Sequence, residues 1–109
     1  MTMVDLELDE LRREFLAEAQ EKAREIESAA AADQSRATLD RLAYLAHQLK
    51  GSGGSYGYQR ISQEAAAIED AAEKLAAADG SAPSGLGDTM REHVRNLSSE
   101  IDERAKELA

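Results

Sequence analysis

Apolar residues recur every three or four positions along nearly the whole chain, and that spacing leaves few folds open. Leu8, Leu11, Phe15, Ala19, Ala23, Ile26 and Ala30 form one such stripe. Leu39, Leu42, Ala46 and Leu49 form a second, with Leu45 on its flank. Ile61, Ala65, Ile68, Ala72 and Leu75 form a third, and Leu86, Met90, Val94, Leu97, Ile101, Ala105 and Leu108 a fourth. No segment shows the period-two alternation of a half-buried strand. Composition points the same way: Val and Ile together number six against 21 Ala, so strand formers are scarce and helix formers abundant.

The expected fold is therefore all-α, with helices at about residues 6–30, 35–54, 58–78 and 86–108. Acidic Asp5, Glu7, Asp9 and Glu10 suit the positive end of the first helix dipole. Asp33 or Ser35 can cap the second helix, and Ser84 or Asp88 the fourth. The clearest loop is Asp79-Gly80-Ser81-Ala82-Pro83-Ser84-Gly85. Short links between amphipathic helices predict an antiparallel up-down four-helix bundle. With 109 residues, the chain is expected to be a single domain over 1–109, because two domains would each lack a core.

Charge and length exclude several functions. Thirteen basic and 22 acidic residues give a net charge of -9, which does not suit a nucleic-acid backbone. There is no Cys, so disulfides, thiolate metal sites and Cys nucleophiles are absent. The longest apolar run, Leu42 to Ala46, is five residues, whereas a membrane span needs roughly 20. The acidic stretch Met1 to Glu10 lacks the basic start of a secretory signal, so a soluble, cytoplasmic protein is expected. An ATP-binding kinase domain does not fit in this length.

One segment departs from plain amphipathic patterning: Ala46-His47-Gln48-Leu49-Lys50-Gly51-Ser52-Gly53-Gly54-Ser55-Tyr56-Gly57. His47 lies about 100° round the helix from core residue Ala46, toward the edge or solvent. Asp40, Ala43, Tyr44, Lys50, Gly51 and Gly54 share its face. A glycine inside a helix costs roughly 0.5–1 kcal/mol relative to Ala, so a glycine cluster there suggests close approach to the backbone. Imidazole is a nucleophile near neutral pH, the Lys50 ammonium offsets phosphate charge, and Gly51 leaves room for a partner. Two readings of these residues stay open. His47 is a phosphoryl acceptor, or it is a bystander on a helix that Gly57 terminates. No P-loop pattern and no preceding strand support a nucleotide-binding loop.

The segment resembles the histidine phosphotransfer (HPt) domain pattern A-H-x-L-K-G-[SA]-x-x-x-x-G, matched here by Ala46, His47, Leu49, Lys50, Gly51, Ser52 and Gly57. The resemblance covers residues 39–75 well and the outer helices by pattern only. It implies a four-helix bundle with a phosphorylatable His exposed on the second helix. Gly57-Tyr58, Ile61, Gln63-Glu64 and Ile68-Glu69 are more specifically similar to the phosphotransfer domains of chemotaxis-type histidine kinases. In those domains a Glu 22 residues after the His bonds its Nδ1, and Glu69 holds that position. Such a carboxylate would leave Nε2 free as the nucleophile. Periodicity alone puts Glu69 beside the third stripe, compatible with that reach or with a solvated surface carboxylate. Those kinases often carry a second His three residues before this Glu; here Ala66 stands there, which implies a simpler network.

The resemblance implies a phosphorelay phosphocarrier that exchanges a phosphoryl group between His47 and an aspartate of a response-regulator receiver domain. The chain is then free-standing or the N-terminal phosphoacceptor domain of a chemotaxis-type kinase. Lys50 and Glu69 support His47, while Ala43, Tyr44, Gly51 and Gly54 form the partner-docking surface. The implied partners are a receiver domain and a histidine kinase, with no nucleic acid and no membrane. No cofactor and no metal are expected on this chain; magnesium belongs to the partner, and no autonomous kinase activity is expected. His93, with only Glu92 near it in sequence, reads as a half-exposed bystander rather than a metal ligand. Tyr56 and Tyr58 are expected to pack the junction of helices 2 and 3. The alternative is a structural helical interaction module without phosphotransfer. An independent enzyme is a third and weaker option, since no acid–base pair or metal cluster stands out.

Overall fold

The computed structural model describes residues 3–109, folded as four α-helices with no strand among them. They are α1 (Met3–Ala31), α2 (Arg36–Ser55), α3 (Gln59–Ala78) and α4 (Leu86–Glu107). Each packs on its chain neighbours, and α1 closes the ring against α4. This is the up-down four-helix bundle that short connections favour.

The four stripes meet on the bundle axis. Leu39, Leu42, Leu45, Ala46 and Leu49 of α2 face Ile61, Ala65, Ile68, Ala72 and Leu75 of α3, all buried. Met90, Val94, Leu97 and Ile101 complete the core from α4. The first stripe departs from expectation at its start. Leu8 and Leu11 are exposed, whereas Phe15, Leu16, Ala19, Ala23 and Ile26 are buried. Length explains the difference: α1 has 29 residues against 20 in α2 and 20 in α3. At about 1.5 Å per residue its first turns overhang the bundle, with no helix opposite. The end of α4 marks the limit, where Arg13 Nε donates to the Leu108 carbonyl at 2.8 Å.

Helix ends follow local chemistry. Ser35 caps α2, its hydroxyl accepting from the Thr38 amide. Asp33 braces that cap by accepting from the Ser35 amide at 2.9 Å and the Thr38 hydroxyl at 2.9 Å. Neither Ser84 nor Asp88 caps α4. Gly85 holds that position at φ 90°, and Asp88 pairs instead with Arg91 inside the first turn. Gly57, at φ 84°, lets the chain reverse between α2 and α3, a left-handed conformation that other residues resist. The Tyr58 amide then donates to the Gly53 carbonyl at 2.8 Å, closing the hairpin. Phe15 of α1 stacks on Tyr56 and Tyr58, with ring centroids 5.0 and 5.9 Å away, so both tyrosines pack the junction.

Candidate functional site

Helix α2 remains helical through the glycine cluster and ends at Ser55. His47 therefore sits in mid-helix, two turns above that end, on the side of α2 away from the core. Its side chain retains 67% of its accessible surface, the condition for attack by or on a partner. Leu45, Ala46 and Leu49 anchor the same turn in the core, so the backbone under His47 is fixed while the ring reaches solvent.

Glu69 reaches His47 from α3. Its Oε2 lies 2.7 Å from His47 Nδ1, and Lys50 Nζ donates to Oε1 at 2.6 Å. Periodicity explains how one helix supplies the carboxylate: Ile68 and Ala65 turn inward, which puts Glu69 on the flank facing α2. Its side chain keeps only 14% of its surface. Burial pushes its carboxyl upward, but hydrogen bonds and charge from Lys50 and His47 outweigh burial and the net shift is downward. Glu69 is thus ionised at neutral pH and can only accept. The proton of a neutral His47 ring must then lie on Nδ1, which leaves the Nε2 lone pair free.

The glycines divide into two groups. A Cβ on Gly51 would meet nothing within 4 Å, and Gly51 lies exposed one turn after His47. A Cβ on Gly53 would come 3.1 Å from Ile61 Cγ2 and 3.3 Å from the Ser62 amide nitrogen. Gly53 therefore serves the close crossing of α2 and α3, while Gly51 leaves open surface. Gly54 stands between, with Ser62 Oγ 3.7 Å from a built Cβ.

Ala43 is half-buried at the core edge, while Tyr44 is the exposed aromatic, at 52%. Gln48 donates to the Tyr44 hydroxyl at 2.9 Å, and the Arg41 guanidinium lies 5.5 Å from the ring centroid. These side chains line a cleft of about 430 Å³ between α1 and α2, with Glu18, Glu21 and Lys22 on its far wall. Tyr44 and Gly51 thus flank His47 on the exposed surface of α2, one turn before it and one turn after.

His93 is half-exposed, as expected, but it is not a bystander. Its Nδ1 lies 2.6 Å from Oε2 of Glu64 on α3, and Arg60 donates to Oε1 of the same carboxylate at 3.2 Å. Glu64 is the one charged residue buried among the described residues. His93 is therefore a partner of a buried carboxylate and joins α4 to α3. Nothing near His93 in sequence signals this, because Glu64 lies 29 residues away. The signal available was Glu64 itself, next to core residue Ala65. Among the described residues no group of three or more His, Asp or Glu side chains is placed to hold a metal ion, and no helix is long and apolar enough to cross a membrane.

Residues 10–104 match the family model of the Hpt domain. No curated protein and no solved structure matches the chain.

Proposed function

This chain belongs to the Hpt domain family, the histidine phosphotransfer domains, and we propose that it carries its phosphoryl group on His47. Membership itself gives the chain a phosphocarrier role in a phosphorelay. The observation supporting His47 is the exposed ring whose Nδ1 is held 2.7 Å from an ionised, half-enclosed Glu69. In the proposed step, the Nε2 lone pair forms a P–N bond with the phosphorus of an aspartyl phosphate on a receiver domain. The acyl P–O bond breaks, and the aspartate carboxylate leaves with its electron pair. The Nδ1 proton stays on the ring, where Glu69 offsets the positive charge that develops. Reversal returns the phosphoryl group to the aspartate.

Lys50 plays two parts in this reading. It neutralises Glu69, and its ammonium sits one turn from the phosphoryl position as a point charge. Ala43, Tyr44, Gly51 and Gly54 offer small or flat contacts to the receiver domain, which brings its own magnesium. The Glu69 arrangement also favours a chemotaxis-type kinase context, in which the kinase's own ATP-binding domain supplies the phosphoryl group. Mixing the purified chain with a phosphorylated receiver domain tests the reading. Acid-labile, base-stable label is expected on the wild-type chain and not on His47→Gln, with helical circular dichroism equal in both. Label that persists in His47→Gln would refute the assignment.

A further inference from the structure

Lys50 is attached to α3 at both ends. Its ammonium donates to Glu69 at 2.6 Å, and its backbone carbonyl accepts from the Ser62 hydroxyl at 2.8 Å. Ser62 and Glu69 are seven residues apart, so they share the flank of α3 that faces α2, two turns from each other. The Ser62 bond falls at a close crossing of the two helices. Gly53 admits Ile61 and the Ser62 backbone there, and Gly54 lies beside the Ser62 hydroxyl. Within α2 the Lys50 carbonyl needs no additional donor, since residue 54 of the same helix supplies the helical bond. The Ser62 hydroxyl donates to the second lone pair of that carbonyl. This bond therefore ties α3 to the turn of α2 that carries Lys50 and, three residues earlier, His47.

We infer that Ser62 is a positioning residue for phosphoryl transfer. Its hydroxyl sets the axial register of α3 against α2, so that one carboxylate, Glu69, meets both Lys50 Nζ and His47 Nδ1. This role rests on His47 being the phosphoacceptor. The hydrogen bond that His47 Nδ1–H donates to Glu69 depends on a separation of 2.7 Å, and such bonds weaken steeply when distance or angle drifts. Loss of the Ser62 tie leaves the register to core packing, to the Tyr58–Gly53 bond at the turn and to the Glu69 bonds themselves, with no hydrogen bond fixing the α2 turn between them. The ring then spends less time as the Nδ1–H tautomer that frees Nε2.

The test compares wild type, Ser62→Ala and Ser62→Thr, the last keeping the hydroxyl. Ring ¹⁵N shifts of His47, taken at a pH where the imidazole is neutral, report which nitrogen carries the proton. Phosphoramidate, a small donor that transfers to imidazole with release of ammonia, reports the rate without a docking partner. Ser62→Ala is expected to lower the Nδ1–H population and slow labelling about fivefold, the scale of one lost positioning hydrogen bond. Ser62→Thr is expected to restore both. If Ser62→Ala lowers the melting temperature but leaves the ring shifts and the rate at wild-type values, Ser62 is only a structural contact and the inference fails. The ring shifts need no phosphoryl donor. They decide the role of Ser62 even if wild-type His47 refuses label, a result that would overturn the phosphocarrier reading by itself.

Discussion

Gly51→Gln separates the chemistry of His47 from the approach of its partner. Gly51 is helical and exposed, and its added Cβ would meet nothing within 4 Å. No overlap opposes the change, so the folded state gains the difference in helix propensity, about 0.5 kcal/mol. In a domain of this size that corresponds to a rise of about 2–4 °C in melting temperature. The new side chain projects one turn from His47, on the surface that a receiver domain must cover. Excluding or tilting the partner by even part of its contact should slow transfer from a phosphorylated receiver by about tenfold or more, a barrier increase of about 1.4 kcal/mol. Phosphoramidate needs no such surface, and its labelling rate should stay within about twofold of wild type, since no positioning contact is lost. Thermal unfolding followed by circular dichroism, with the two labelling rates side by side, measures all three quantities. Two results would refute the reasoning: equal transfer rates from the receiver, or an equal loss with both donors. The first would show that Gly51 is not covered by the partner, and the second that the substitution disturbs His47 itself.

Glu69→Gln should slow phosphoramidate labelling of His47 about tenfold, a barrier increase of about 1.4 kcal/mol, because the carboxylate that holds the proton on Nδ1 is lost, and Lys50→Ala should slow it less. The same variant tests a pH dependence. The Glu69 pKa is depressed below the ordinary 4.5, so its stabilisation is present above that value and is lost as pH falls through the folded-state pKa. Denaturation free energy measured from pH 6 downward should therefore fall less steeply in Glu69→Gln than in wild type. Ser35→Ala removes the α2 cap and should cost about 1 kcal/mol in urea unfolding, with His47 labelling unchanged. His93→Ala should cost about 1–3 kcal/mol, because it strips a hydrogen bond from the buried Glu64; adding Glu64→Leu should recover part of the loss in a double-mutant cycle.

Periodicity alone determined four helices, their order and most of the core, because a helix with an apolar stripe has one way to remove it from water. The segment from Ala46 to Gly57 also showed an exposed His beside a cation and bare backbone, since those relations lie within one helix and follow from its pitch. Relations between helices depended on packing. Leu8 and Leu11 continue the α1 stripe without a break, and only the shorter partners leave them exposed. Glycines 51, 53 and 54 look alike in sequence; the crossing of α3 made Gly53 a contact and left Gly51 open. Glu69 reached His47, and Glu64 reached His93, across helix interfaces whose register no local pattern encodes. Hydrogen bonds operate over about 3 Å, and which side chains come that close is decided when the core packs and sets each helix's rotation and height against its neighbours.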